Sequence, residues 1–182
     1  MQGEPRAVLI TGLFGTGKSS VAIEMADVLE KRELPYAVVD LDWLCWGWAG
    51  GAEGSEHRMM LANLVPVVAN YLEAGVRYFI FARSIRTAAE LESLRSALSM
   101  PLAVVELIVP FSEIERRLAP DITAARQEDL RDAKAWLAAG DGVGLGDLSV
   151  PNDRPVRAVA SDILRRLEWT EEQDYHRGGG EE

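Results

Sequence analysis

Short apolar runs alternate along this chain with longer stretches in which apolar side chains recur at helical spacing. The short runs suit buried strands and the longer stretches suit amphipathic helices. Ala7–Ile10 predicts a first strand, and Ser20–Lys31, carrying Val21, Met25, Val28 and Leu29, predicts a helix after it. Tyr36–Asp42 predicts a second strand ending in two carboxylates, Asp40 and Asp42. Side chains alternate along a strand, so these two share a face if the strand persists that far. A tryptophan- and glycine-rich stretch over residues 43–54 leads to a helix over His57–Ala74, which Pro66 should kink or break and Gly75 should end.

Arg77–Ala82 predicts a third strand, and Thr87–Leu98 a helix opened by a capping box of Thr87 and Glu90. Leu102–Val109 predicts a fourth strand, closed by Pro110. Helices over Ser112–Leu118 and Ala124–Ala139 follow, separated by Pro120, with Ser112 and Glu115 as a second candidate box. Gly146–Val150 predicts a fifth strand and Pro155–Leu167 the last helix, with Asp153 as its N-cap and Pro155 in its first turn. Strands alternating with helices predict an α/β fold, a parallel sheet covered on both faces. In such sheets ligands bind beyond the carboxyl ends of the strands. The residues that end each strand should therefore converge: the loop after the first, Asp40 and Asp42, Arg83 and Arg86, and Asn152 to Arg154.

The loop after the first strand carries the most specific chemistry. Gly12-Leu13-Phe14-Gly15-Thr16-Gly17-Lys18-Ser19 is a complete G-x-x-x-x-G-K-[ST] pattern, set between a strand and a helix as a phosphate-binding loop requires. Gly12, Gly15 and Gly17 permit backbone conformations that a Cβ would hinder. The loop amides can then form a concave nest for phosphate oxygens, with the helix N-terminus behind them. Lys18 should reach the β- and γ-phosphates, and the Ser19 hydroxyl should ligate Mg²⁺, a hard cation that prefers oxygen. Phe14, Thr16 and Ser20 belong to the same contact set for ATP.

The loop, the Asp-x-Asp ending strand two and the arginine-rich segment after strand four together resemble the P-loop small-molecule kinases. That group includes adenylylsulfate, shikimate, gluconate and nucleotide kinases and chloramphenicol phosphotransferase. The resemblance runs from about Arg6 to Leu167 in element order. It implies a three-layer P-loop NTPase fold with a five-stranded parallel sheet, an acceptor-binding segment at about 43–75 and a lid at about 116–130. It also implies transfer of the γ-phosphate of ATP·Mg²⁺ to a hydroxyl of a small molecule. Lys18 and Ser19 match the phosphate lysine and the Mg²⁺ hydroxyl. Asp40 and Asp42 match the acidic pair near the acceptor: Asp42 as base or acceptor ligand, Asp40 on the Mg²⁺ side, with the two roles interchangeable at this stage. Adenylylsulfate kinases read Asp-Gly-Asp there, followed by Asn and Arg; Leu41, Trp43 and Leu44 stand here and disfavour adenylylsulfate as acceptor. Lid arginines of the family reach over the triphosphate, a role open to Arg116, Arg117 and Arg126 and equally open to surface pairing with Glu113, Glu115 or Glu128. The loop holding Asn152 and Arg154 corresponds to the family's adenine contact.

Arg83 suits an anionic or polar acceptor group; Arg86 and Arg58 are further candidates of that type. Trp43, Trp46 and Trp48 could wall a pocket for a flat or apolar acceptor, or pack under a long loop. His57 lacks a metal-ligating neighbour, and Cys45 reads as packing.

Composition narrows the remaining choices. A net charge of −10 argues against non-specific binding to nucleic acid or an anionic membrane. No apolar run approaches the roughly 20 residues of a membrane span. The start lacks a signal-peptide layout and Cys45 is the single cysteine, which together suggest a cytoplasmic protein. Residues 1–170 read as one domain, a monomer or homodimer, and the acidic, glycine-rich residues 171–182 as a mobile tail. Two rival readings stand beside a metabolite kinase. One is a phosphotransferase acting on an antibiotic or natural product. The other is a nucleotide-dependent switch or ATPase acting on a protein, which the Phe79-Ile80-Phe81-Ala82 end of strand three, lacking a terminal Asp, disfavours.

Overall fold

The computed structural model describes residues 4–47, 54–118 and 124–170. The 171–182 tail, Trp48 and Pro120 lie outside the described residues. Five parallel strands form one sheet: β1 (Arg6–Thr11), β2 (Tyr36–Asp40), β3 (Tyr78–Ala82), β4 (Leu102–Ile108) and β5 (Leu148–Pro151), in the order β2-β3-β1-β4-β5. Six helices connect them among the described residues: α1 (Lys18–Glu30), α2 (Ser55–Glu73), α3 (Ala88–Ala97), α4 (Phe111–Leu118), α5 (Ala124–Ala139) and α6 (Val156–Arg166).

The alternation of side chains along each strand splits the core in two. Leu9, Val39, Phe79, Phe81 and Val104 face Met60, Leu64 and Val68 of α2 and Leu91 and Leu94 of α3. Val8, Ile10, Ile80 and Val105 face Val21, Met25 and Leu29 of α1 and Val159, Ile163 and Leu164 of α6. A third cluster joins the phosphate loop to α4 and α5: Leu13, Ile114, Leu118 and Ala133, with Phe14 and Trp136 against it. All five strands end at the same edge, which places their following residues around one cleft. No helix among the described residues is long and apolar enough to cross a membrane.

Several boundaries differ from the sequence expectation for identifiable reasons. β2 stops at Asp40, and Leu41–Leu44 wind into a 3-10 turn. The Asp40 carboxylate accepts from the Asp42 amide at 3.1 Å, an Asx-type cap that bends the chain before alternation reaches Asp42. α2 runs through Pro66 as one helix. Pro66 and Ala62 both lie on its exposed side, so the carbonyl that Pro66 leaves without a helical donor can be met by water, while Met60, Leu64 and Val68 anchor the buried side. α4 opens one residue before Ser112, with Pro110 O accepting from the Glu113 and Ile114 amides, so the Ser112–Glu115 box does not form. Half of the Thr87 box forms: Thr87 Oγ1 accepts from the Glu90 amide at 3.2 Å, while the Glu90 carboxylate takes the preceding Arg86 amide at 2.8 Å. α6 is capped by Pro155 rather than Asp153. β5 starts after Asp147, whose carboxylate is taken up by the Val104 amide and Arg95.

Glu106 went unmarked in the sequence, an acid inside an apolar strand. It is 3% exposed in β4, and its carboxylate accepts from the Gly144 amide at 2.9 and 3.1 Å and from the Gly146 amide at 3.5 Å. A buried carboxylate persists when such donors satisfy it. Glu106→Ala should strand these amides and lower stability by about 2 kcal/mol, seen as a lower urea midpoint at unchanged slope.

Candidate functional site

The cleft at the carboxyl edge of the sheet has a volume of about 840 Å³ and is shared by the phosphate loop, the end of β2, and the segments after β3 and β5. Side chains around the loop hold its backbone carbonyls. Thr16 is buried, and its hydroxyl donates to Leu13 O at 2.8 Å. Ser84 Oγ donates to Gly12 O at 3.0 Å. Asn152, 4% exposed, donates from Nδ2 to Thr16 O at 2.7 Å. Three glycines of the loop have positive φ, and at Gly12, φ +137°, a Cβ would lie 2.8 Å from the Leu107 carbonyl oxygen. Gly17 has φ +92°, and a Cβ there would lie 2.7 Å from Asn152 Nδ2. Gly15 has φ +79°, and its Cβ would press on Leu118 and Ile114 of α4 at 3.1–3.2 Å.

Lys18 opens α1 and folds back over the loop. Its Nζ donates to Gly12 O and Leu13 O at 3.2 and 3.1 Å and lies 5.5 Å from the Phe14 ring centroid. Ser19 follows it, and its hydroxyl donates to Asp40 Oδ2 at 3.0 Å. Ser20 lines the cleft beside it. A hydroxyl and a carboxylate facing one another at the phosphate loop are hard oxygen donors, the set Mg²⁺ takes together with phosphate oxygens and waters. Groups of three or more His, Cys, Asp or Glu side chains that could cage a metal are absent among the described residues. The donor set thus fits a phosphate-bound Mg²⁺ rather than an all-protein metal cage.

Asp40 and Asp42 therefore part company. Asp40 turns to Ser19. Asp42, on the 3-10 turn, pairs through Oδ1 with Arg83 at 3.0 Å. The Arg83 guanidinium also reaches Leu41 O at 3.5 Å and Cys45 Sγ at 3.3 Å. Cys45 is half-buried beside this guanidinium, not simply core packing. Trp43 and Trp46 line the cleft, stacked on each other with centroids 4.7 Å apart and planes 16° apart.

On the opposite side, Arg117 lines the cleft. It donates to Asn152 O at 2.9 Å and Thr16 O at 3.4 Å, and Glu113 holds its Nε at 2.9 Å. Arg116, its neighbour, points elsewhere. It is exposed, pairs with Glu113 at 2.7 Å and does not reach the cleft. Adjacent residues of a helix stand on different faces, so only one of this pair can meet the loop. Arg126 falls in the first turn of α5, and its side chain lies outside the described part of the structure. Arg154 lines the cleft near Asn152 and pairs with Asp162 at 3.4 Å, where Arg165 and Arg166 also converge. Burial works against ionisation of Asp162, but the hydrogen bonds and charges of Arg166, Arg154 and Arg165 outweigh it and lower its pKa.

Arg86 and Arg58 are not brought to the cleft. Arg86 binds Asp141 at 2.7 Å and lies over the Trp136 ring. Arg58 is exposed in the first turn of α2. His57, in the same turn, shares a 2.6 Å hydrogen bond with Ser93 Oγ, and burial, with the Arg83 charge, lowers its pKa against the pull of Glu90. Ser84 is a cleft residue that the sequence reading passed over, although it directly follows Arg83 at the end of β3.

No family model and no curated protein matches the sequence. Solved structures do resemble it. An APS kinase from Mycobacterium tuberculosis, solved in complex with AMPPNP and APS, aligns at a TM-score of 0.61 and 23% identity, covering 91% of this chain and 98% of that one. A gluconokinase from Sinorhizobium meliloti aligns at 0.60 and 17% identity, covering 91% and 97%. A tunicamycin resistance protein from Deinococcus radiodurans aligns at 0.60 and 19% identity, covering 91% and 96%. At these identities the likeness is one of architecture, and this chain has the fold of the P-loop small-molecule kinases.

Proposed function

We propose that this protein transfers the γ-phosphate of ATP to a hydroxyl of a small molecule. The observation that supports the reading is a single cleft lined by the phosphate loop and two carboxylates with different partners. Asp40 is held by the Ser19 hydroxyl and Asp42 by Arg83. A nucleotide switch needs the first arrangement; an acceptor kinase needs both.

Ser19 and Asp40 would hold Mg²⁺, which when bound would neutralise charge on the triphosphate. Lys18 exchanges its loop carbonyls for phosphate oxygens. Asp42 orients the acceptor hydroxyl and takes its proton as the oxygen attacks phosphorus and ADP leaves. Arg83 holds the Asp42 carboxylate in place. Arg117, held between the loop and Asn152, supplies positive charge on the opposite side. Asn152 and Arg154 border the space for the base. The stacked Trp43 and Trp46 favour a natural-product or antibiotic acceptor over a polyol.

The test is ADP release from Mg·ATP with and without fractionated small-molecule extracts. Acceptor-dependent release that falls by two or more orders of magnitude in Lys18→Ala supports a kinase, and Asp42→Asn should lower kcat by about 10²–10⁴. Release that no fraction changes moves the reading to a protein-directed ATPase. A second prediction concerns the Arg117 support. Hydrogen bonds from Arg116 and then Arg117 hold the Glu113 pKa down, from 4.5 to about 2. A depressed acid stabilises the fold above its unfolded pKa and loses that contribution as pH falls through the folded value. Carboxyl NMR should place the Glu113 midpoint near 2 and move it up in Arg116→Ala, while Glu113→Gln should raise the KM for ATP several-fold by loosening Arg117.

A further inference from the structure

We infer that the acceptor is an uncharged hydroxyl compound with a flat aromatic face, docked on the Trp43–Trp46 stack. The inference rests on the kinase reading for the role of the cleft, and its test reads binding rather than turnover. Trp43 and Trp46 remain 68% and 75% exposed although they touch each other. Two adjacent large apolar side chains left in water at the edge of a cleft are a recognition surface rather than core. The turn that carries them is anchored. Leu41, at the root of the turn, is fully buried, Asn63 Nδ2 donates to Leu44 O at 2.7 Å, and Cys45 N donates to Asp42 O at 3.2 Å. A prearranged platform loses little freedom when a ring is laid on it.

Charge decides the class further. Among the described residues lining the cleft, the cations are Lys18, Arg117 and Arg154. Lys18 and Arg117 are bonded to the phosphate loop, and Arg154 to Asp162 on the β5 side. The end near the tryptophans presents Asp40 and Asp42. Arg83 is committed to Asp42, Leu41 O and Cys45. An acceptor with its own carboxylate, sulfate or phosphate would meet two carboxylates and an indole wall, with no cation among the described residues at that end of the cleft to receive it. An uncharged ring meets two faces of matching polarity, with its hydroxyl directed towards Asp42.

The experiment uses the whole protein saturated with Mg·AMPPNP. The indole N–H resonances are followed by NMR during titration with 2-naphthylmethanol, with 2-naphthoate as the flat anion and gluconate as the anionic polyol. The expected result is that 2-naphthylmethanol shifts the Trp43 and Trp46 signals and binds about tenfold more tightly than either anion. Trp43→Ala should weaken it about tenfold and Trp43→Phe should restore most of that, at wild-type AMPPNP affinity. Equal or tighter binding of an anion, or binding indifferent to Trp43→Ala, overturns the inference. Trp43-dependent binding in a protein that releases no ADP with any acceptor upholds the docking surface and defeats the kinase reading instead.

Discussion

The Thr16 carbonyl is the joint on which the site depends. It accepts from Asn152 and from Arg117, residues that lie far from it in sequence and reach it from β5 and α4. With Ser84 on the Gly12 carbonyl, these bonds engage the loop's acceptors from behind. A loop whose carbonyls are occupied in this way offers its amides to an anion. The positive φ values at Gly12, Gly15 and Gly17 cost little because glycine has no Cβ. The loop is thus less a self-contained motif than the meeting point of three segments.

The same logic divides the two acidic residues. Because Asp40 caps the turn that follows it, the chain bends, and Asp42 leaves the strand's alternation for the side where Arg83 emerges from β3. Had β2 continued, both carboxylates would share one face and compete for one environment. The bend assigns them separate partners, and separate partners permit separate chemistry.

Much of this was legible in the sequence because it is local. Glycine spacing, a Lys-Ser pair and a strand before them state a phosphate loop without reference to the rest of the chain, and the alternation of runs states a parallel sheet. What escaped the sequence is what distant segments decide. The end of β2 is the exception, since the Asp40 cap that bends the chain is a local one. Arg116 and Arg117 looked equivalent because the helix phase is set by the packing of Ile114 and Leu118 against Leu13. That signal was present, since Arg117 lies three residues after Ile114, but its meaning required knowing which face was buried. Glu106 could not be explained before Gly144 and Gly146 were seen to fold onto it. Pro66 does not break α2, because its cost depends on exposure, which a sequence position does not state.

The variable positions of the loop carry a further consequence. Leu13 is buried in the cluster with Ile114, Leu118 and Ala133, and Phe14 meets the Trp136 ring of α5 edge-on with centroids 5.2 Å apart. In the general pattern these two positions are unspecified, yet here each is matched to a particular neighbour. Transplanted into another scaffold, the eight-residue segment would bring its glycines and lysine intact but lose the surface against which it was moulded. The portable unit is the loop together with α4 and α5, and chimaeras joined anywhere within that unit would exchange the ligand for a packing defect.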